Sequence, residues 1–244
     1  MSVSVIVPVF NNARFLRAAI LSLLAEAMAE LQIVVVDDGS TESCLETIAD
    51  LPVTTLRLPK NRGQAAARNA GLSLAVGKKI AFLDSDDLLE TGSLRRRSSW
   101  LDEHPEAMGI QGSIFQCIDE NGEELTGSVD FKALHARLPE VITWEHWKNG
   151  LTIPAPLIPC MLRRSIFELI GTFDETLRYA EDLDLFYRFL KVYSLPHLFE
   201  PVFRYRIHGR NLSIKGEKEN WNSPPRVEAE RILLDYVHGF RSCR

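Results

Sequence analysis

The residues with the clearest chemical potential form an acidic cluster, Asp84-Ser85-Asp86-Asp87, directly after the apolar run 79–83. Three carboxylates within four residues supply the hard oxygen ligands that a divalent cation prefers. Such a cation can neutralise the charge of a diphosphate so that it can leave. Asp and Ser are also favoured at the starts of helices, so a capped loop without chemistry is the competing interpretation.

A second acidic pair, Asp37-Asp38, follows another apolar run and precedes Gly39-Ser40. An Asp-Gly turn is its structural alternative. Four carboxylates in one crevice repel each other unless a cation or hydrogen-bond donors compensate, which favours a ligand site. We expect Asp37 and Asp38 to accept hydrogen bonds from the base and ribose of a nucleotide. Arg68 is expected to face the same pocket, with a solvated arginine as the alternative.

Two groups in the second half of the chain complete the predicted chemistry. Asp182 lies at the start of a helix, where the helix dipole alone explains an acid. A reaction in which a hydroxyl group attacks needs a base to accept its proton, however, and Asp182 is the candidate because a desolvated carboxylate gains basicity. His208 ends a strand beside a basic segment and is predicted to ligate the metal or contact the phosphates, although a lone histidine is usually structural or solvated.

Alternating strands and helices must position these groups. Apolar runs typical of buried strands cover residues 3–9, 31–36 and 79–83, and residues 54–58 predict a weaker strand. Helical stripes lie at 16–27 and 64–76. Ser43 and Glu46 have the spacing of a capping box and predict one more helix. The order predicts an α/β fold with a mostly parallel central sheet flanked by helices. Ligands bind beyond the carboxyl ends of such strands, where the four predicted carboxylates lie.

The second half of the chain is predicted to be less regular. Expected elements are a strand at 109–118, a turn at 121–122, a short helix with Trp144 and Trp147, a helix at 183–190 and a strand at 198–207. Residues 211–244 are predicted to form a mobile loop and an amphipathic helix with an apolar stripe at Ala229, Ile232, Leu233, Tyr236, Val237 and Phe240. The basic run Arg95-Arg96-Arg97 is interpreted as a solvated helix face.

Composition excludes several classes of protein. The 244 residues are 45% hydrophobic and 25% charged, as in an ordinary globular domain, and the net charge of −5 argues against a nucleic-acid partner. The four cysteines show no zinc-type spacing, which favours a reduced, cytoplasmic setting. Neither a secretory leader nor a membrane-spanning helix is predicted.

In chain order, a series of short blocks resembles the family-2 glycosyltransferases. The blocks are Ser4–Asn11, Val35–Ser40, Asn61–Gly63, Ala67–Gly71, Phe82–Asp87, and Gly171–Glu175 followed by Glu181-Asp182. Each block is weak alone, but the series extends from residue 3 to about residue 210 and is highly specific. One departure is Thr172, where the family commonly has glycine.

The resemblance implies a glycosyltransferase A-type fold, an inverting mechanism and a nucleotide-diphosphate sugar donor, often a UDP-sugar. It implies Asp86 on Mn²⁺ or Mg²⁺, Asp182 as the base, and His208 near the diphosphate and metal. It places Pro8 and Asp38 near the nucleotide base and Asp84 near the ribose. The predicted nucleotide-sugar-binding residues are Pro8, Val9, Phe10, Asn11, Asp37, Asp38, Gly63, Arg68, Asp84 and Ser85; the predicted metal ligands are Asp86 and His208.

These expectations describe one catalytic domain over residues 1–210, with a nucleotide-binding half (1–105) and an acceptor-binding half (106–210). The acceptor is expected to be a glycan or a lipid-linked glycan, in polysaccharide or glycolipid synthesis at the inner membrane surface. The last helix is expected to do one of three things: pack on the domain, form a homodimer or contact the membrane. Two other functions stay open: a nucleotidyltransferase that makes sugar nucleotides, and a carbohydrate-binding module that uses Trp144, Trp147 or Trp221.

Overall fold

The computed structural model describes residues 2–125, 133, 136–149 and 157–211. The predicted helix over 211–244 and Trp221 therefore lie outside the described residues, apart from Asn211. The elements used below are β1 (Val3–Val9), α1 (Ala13–Leu24), β2 (Leu31–Asp37), β3 (Thr54–Arg57), α2 (Gln64–Leu74), β4 (Lys79–Phe82), β5 (Leu88–Leu89), α3 (Ser93–Glu103), β6 (Gly109–Ile118), β7 (Val141–Ile142), α4 (Trp144–Lys148), β8 (Cys160–Arg163), α5 (Ile166–Ile170), α6 (Glu181–Leu190) and β9 (Leu195–Arg206).

The strands form one central sheet in the order β3-β2-β1-β4-β8-β6-β9-β5, with β7 paired to β9. Strands β1 to β4 are parallel, and so is the long pair of β6 and β9. Strand β8 runs antiparallel between β4 and β6 and joins the two halves. The short β5 and β7 are antiparallel to β9. The predicted α/β architecture with a mostly parallel sheet is confirmed.

Burial explains why β1 has the sequence of an almost continuous apolar run. Every residue of β1 is buried, which is typical of a strand with helices on both faces of its sheet. Helix α2 packs closely on β1 at Gly71, where a Cβ atom would lie 2.4 Å from the Ile6 Cγ2 atom. This close approach brings the side chain of Arg68, one turn earlier, to the carboxyl ends of the strands.

Two local predictions are wrong. The expected helix after Ser43 is a single 3-10 turn over Leu45–Ile48 without a side-chain cap, because the buried Cys44 and Ile48 tie this short connection to the core. The basic run is not a solvated face throughout. Arg97 is 2% exposed and donates hydrogen bonds to the carbonyl oxygens of Ser93 and Pro159, since the helix turns this position towards β8.

The predicted elements of the second half are confirmed where the structure describes them. The turn contains Gly122 at φ +90°, and its amide donates a hydrogen bond to the carbonyl oxygen of Asp119. Trp144 and Trp147 lie on α4, and Trp147 is buried against Phe186 of α6. Within the described ranges, no helix is long and apolar enough to cross a membrane.

Candidate functional site

The predicted metal ligands lie side by side at the carboxyl edge of the sheet. The Asp86 Oδ2 atom is 2.9 Å from the His208 Nε2 atom, although 122 residues separate them in the sequence. The amide of Arg210 donates a hydrogen bond to the His208 Nδ1 atom at 3.1 Å. The His208 Nε2 atom therefore carries the hydrogen and donates a hydrogen bond to Asp86 in this arrangement. The Phe15 ring packs beside the imidazole, with 5.0 Å between the ring centroids.

The third carboxylate of the acidic cluster has a structural task. The Asp87 Oδ1 atom accepts a hydrogen bond from the amide of Arg206 at 2.9 Å, and the Arg206 Nε atom donates to the carbonyl oxygen of Asp86 at 2.7 Å. Burial and the neighbouring carboxylates raise the pKa of Asp87 well above its ordinary value. These bonds fasten the end of β9 to the acidic loop, which is why His208 reaches Asp86.

Asp84 is linked to a buried arginine. The Arg68 Nη2 atom donates to the Asp84 Oδ1 atom at 3.2 Å; the arginine side chain is 3% exposed and the aspartate side chain 29%. Burial raises the pKa of Asp84 to about 6, with Arg68 acting in the opposite direction and the charges of nearby carboxylates adding to the rise. Asp84 therefore keeps part of its carboxylate exposed on the surface that it shares with Asp86 and Asp182, which we call the cleft. Arg68 reaches this surface only through Asp84.

The pair Asp37-Asp38 organises loops. The Asp38 carboxylate accepts hydrogen bonds from the amides of Arg62 and Gly63, both at 2.8 Å, and burial raises its pKa. Asp37 is completely buried, and its Oδ1 atom accepts a hydrogen bond from the amide of Ser40 at 2.8 Å. Both residues thus shape the wall of the predicted nucleoside pocket, and their position offers little carboxylate surface to a ligand.

Residues at the end of β1 and directly after it join this wall to the acidic loop. The Asn11 Oδ1 atom accepts hydrogen bonds from the amides of Thr41 and Glu42 at 2.8 and 3.2 Å. The Asn12 Nδ2 atom donates to the Ser85 Oγ atom at 3.0 Å. Pro8 and Val9 are buried beneath these loops, whereas Phe10 is 45% exposed. Of these residues, Phe10 is therefore the one whose ring is exposed.

Asp182 lies in the first turn of α6 between two buried acids. The first turn of α6 holds Glu181, Asp182 and Asp184. Glu181 is buried against Arg68, and Asp184 is buried in an ion pair with Arg188. Asp182 is the one of the three that keeps partial exposure, and its negative charge acts on Asp84. This distribution favours Asp182 as a base facing the same cleft.

The structure thus brings together the predicted residues Asp84, Asp86, Asp182 and His208. The sequence interpretation assigned no individual role to Glu42, Arg206 or Arg210. The Glu42 Oε2 atom accepts a hydrogen bond from the amide of Ala13 at the start of α1, and its Oε1 atom pairs with Arg210. No local signal marks these residues, because their partners lie far away in the sequence.

The pair Asp86 and His208 fits a divalent cation, provided that a ligand completes the coordination. A carboxylate oxygen and an imidazole nitrogen suit Mn²⁺, whereas Mg²⁺ favours oxygen alone. A nitrogen that ligates a metal carries no proton, so ligation through the Nε2 atom requires the other tautomer and a shift of the Arg210 amide. In the part of the chain that the structure describes, no three His, Cys, Asp or Glu side chains are grouped to hold a metal. Phosphate oxygens are the natural remaining ligands.

The fold and the site define an α/β protein with an acidic cleft at the carboxyl ends of its parallel strands, a place where such folds bind nucleotides. The sequence profile described as "Glycosyl transferase family 2" matches residues 4–170. The chain therefore belongs to glycosyl transferase family 2, and the predicted family is confirmed.

Similar sequences carry related names. The chain is 30% identical over 223 residues to an uncharacterized glycosyltransferase of Rickettsia prowazekii (strain Madrid E), with 84% of this chain and 64% of that protein covered. It is 32% identical over 190 residues to the succinoglycan biosynthesis protein ExoO of Rhizobium meliloti (strain 1021), with 74% and 53% covered. The match thus spans less than two thirds of the length of either relative.

Solved structures show the same fold at low sequence identity. S. aureus TarS 1–349 in complex with UDP-GlcNAc has a TM-score of 0.70 at 21% identity, covering 96% of this chain and 65% of that chain. The mannosyltransferase PcManGT from Pyrobaculum calidifontis in complex with GDP-Man and Mn²⁺ has a TM-score of 0.64 at 19% identity, covering 95% and 69%. The protein has a glycosyltransferase A-type fold, as predicted.

Proposed function

We propose that this protein transfers a sugar, with inversion, from a nucleotide-diphosphate sugar to an acceptor hydroxyl. The observation that supports this most is the convergence of Asp84, the Asp86–His208 pair and Asp182 on one cleft. A UDP-sugar is the favoured donor class. Similarity to a succinoglycan biosynthesis protein supports a glycan or lipid-linked glycan as the acceptor.

The nucleoside lies, in this proposal, against the wall built by Asp37, Asp38 and Asn11. The exposed ring of Phe10 stacks on the base, while the amides near Gly63 are held in place by Asp38. Asp84 accepts a hydrogen bond from the ribose, because part of its carboxylate faces the cleft. Arg68 supports that contact from behind without reaching the donor itself.

Asp86 and His208 hold the metal in this proposal, and the carboxylate–imidazole pair favours Mn²⁺ over Mg²⁺. A bound cation would neutralise the charge that develops on the diphosphate leaving group. Arg206 keeps Asp86 in place through the backbone of the acidic loop. Arg210, whose amide contacts His208, lies at the same edge and adds positive charge.

Transfer itself needs a base on the acceptor side. The Asp182 carboxylate takes the proton of the acceptor hydroxyl as its oxygen bonds to the anomeric carbon. The bond between that carbon and the phosphate oxygen breaks, and its electron pair leaves with the nucleoside diphosphate. Attack from the face opposite to the leaving group inverts the anomeric centre.

The test is a panel of nucleotide-sugars incubated with the protein and Mn²⁺, with a chelator as control. Release of nucleoside diphosphate is measured, and binding of UDP with Mn²⁺ is measured by calorimetry. Asp86→Ala should weaken Mn²⁺-dependent UDP binding at least about tenfold, because a charged ligand is lost. Asp182→Ala should keep that binding and lower release by about 100-fold or more.

A matched control is Asp50→Ala, which removes an exposed aspartate paired with Arg17 on another surface. It should behave as wild type in both assays. Full activity of Asp86→Ala or Asp182→Ala would remove that residue from its role. The proposal would be overturned if the protein released nucleoside diphosphate from no nucleotide-sugar and bound no UDP, with or without Mn²⁺.

The same panel separates the two other functions. A nucleotidyltransferase would release pyrophosphate from a nucleoside triphosphate and a sugar phosphate. A carbohydrate-binding module would bind glycan without nucleotide or metal. The structure gives the latter little support at α4, because Trp147 is 7% exposed and Trp144 packs against Tyr187.

A further inference from the structure

A buried ion pair joins helix α2 to the first residue of helix α6. The Arg68 Nη1 atom donates to the Glu181 Oε1 atom at 2.5 Å, across 113 residues of sequence. The two side chains are 3% and 5% exposed. The same guanidinium donates through its Nη2 atom to Asp84. One planar group therefore connects the acidic loop of the donor side to the helix that carries Asp182.

The next residue of α2 fixes the segment that leads into α6. The Asn69 Nδ2 atom donates to the carbonyl oxygen of Phe173, and the amide of Phe173 donates back to the Asn69 Oδ1 atom, both at 3.0 Å. The Arg68 guanidinium also lies 5.6 Å from the centre of the Phe173 ring. Two successive residues of α2 thus hold both the approach to α6 and its first residue.

The backbone at the start of α6 is held in an unfavourable conformation. Ala180, directly before Glu181, has φ +58° and ψ +24°, the left-handed region that L-residues seldom adopt. Such a conformation persists where surrounding contacts impose it. Arg68 contacts Glu181 on one side of Ala180, and Asn69 contacts Phe173 and Glu175 on the other side.

We propose that Arg68 and Glu181 are positioning residues that fix the direction in which Asp182 enters the cleft. This inference rests on the proposed function, in which Asp182 is the base. Asp182 follows Glu181 directly, so a shift of the Glu181 anchor turns the base away from the acceptor. A displacement of about 1 Å at a reacting group can lower turnover by about 100-fold.

Stability alone is a poor account of this network. A buried ion pair generally contributes little more than apolar packing of the same volume. Here one guanidinium lies among the three carboxylates Asp84, Glu181 and Asp182, whose charges raise its pKa although burial lowers it. Burial raises the pKa of Glu181 above its ordinary value, and Arg68 opposes that rise. Arg68 thus lets acidic groups from two halves of the chain remain close together.

The experiment compares Glu181→Gln and Arg68→Lys with a matched control on the same helix. Glu181→Gln keeps the size and an acceptor oxygen but loses the negative charge. Arg68→Lys keeps the positive charge but loses the planar guanidinium that donates to two carboxylates. Asp184→Asn weakens the other buried ion pair of α6, Asp184–Arg188, at 2.7 Å. Each folded variant is assayed for UDP binding with Mn²⁺, for turnover of the donor identified by the panel, and for unfolding in denaturant.

We expect both test variants to lower turnover by about 10- to 100-fold. The affinity of Glu181→Gln for UDP with Mn²⁺ should stay within about threefold of wild type. Asp184→Asn should lose stability with turnover within about threefold of wild type. Wild-type turnover in either test variant would overturn the inference, and so would an equal loss in Asp184→Asn. Failure of the proposed function looks different, because wild type itself would then release no nucleoside diphosphate.

Discussion

Gly39, in the turn after β2, is the position where a single methyl group is expected to do the most damage. Its φ of +71° is one that alanine adopts only with strain. An added Cβ atom would also lie 2.5 Å from the carbonyl carbon and 2.6 Å from the Cα atom of Lys60. These are backbone atoms, so no side-chain rotation can relieve the contact.

The cost of Gly39→Ala follows from these two effects. The left-handed conformation costs alanine about 1–2 kcal/mol. The approach to Lys60 is about 0.9 Å inside the 3.4 Å limit of ordinary contact, and forced repacking of this kind costs about 1–3 kcal/mol. The loop cannot yield freely, because Asp38 holds the amides of Arg62 and Gly63. We therefore expect a loss of about 2–5 kcal/mol in the free energy of unfolding.

Denaturant unfolding followed by circular dichroism measures that loss, with Gly209→Ala as the control. Gly209 is also near the cleft, but no heavy atom lies within 4 Å of the position that an alanine methyl would occupy, and its φ lies outside the left-handed region. The Gly209→Ala protein should therefore stay within about 0.5 kcal/mol of wild type. UDP affinity with Mn²⁺ should fall at least about tenfold in Gly39→Ala, since the loop of the nucleoside wall must move. A Gly39→Ala protein as stable as Gly209→Ala would refute the reasoning.

Ala180→Val should lower the free energy of unfolding by about 1–2 kcal/mol in denaturant, because a β-branched residue is strained at φ +58°, whereas Ala180→Gly should change it by less than about 1 kcal/mol. Burial raises the pKa of Glu181 to about 7, so the folded state holds this proton more tightly than the unfolded state does. The free energy of unfolding should therefore fall as the pH rises from about 4.5 to about 7. Glu181→Gln should make that fall shallower in unfolding curves across this range; an unchanged slope would contradict the raised pKa. Burial raises the pKa of Cys160 to about 12, so alkylation at pH 8, read by mass spectrometry, should label it only after unfolding.

Much of the fold could be predicted because its signals are local. Continuous apolar runs predicted β1, β2 and β4, since a strand buried on both faces needs apolar side chains at every position. Their order predicted a parallel sheet and placed Asp38 and Asp84 at one edge. The prediction of a helix after Ser43 was wrong because the capping-box signal rests on two residues alone. The burial of Cys44 and Ile48 decides how the chain turns here.

Local sequence patterns were thus sufficient to predict the family, the sheet and the edge at which the acidic cluster Asp84-Ser85-Asp86-Asp87 lies. Which carboxylates are exposed in the cleft depends on contacts between distant parts of the chain. Asp87 accepts a hydrogen bond from the backbone of Arg206, which lies 119 residues away in the sequence. Glu181 is buried against Arg68, which lies 113 residues away. Asp182 keeps partial exposure beside them. The physical reason is that a carboxylate's exposure and pKa depend on the donors and charges packed around it, and those come from distant parts of the chain.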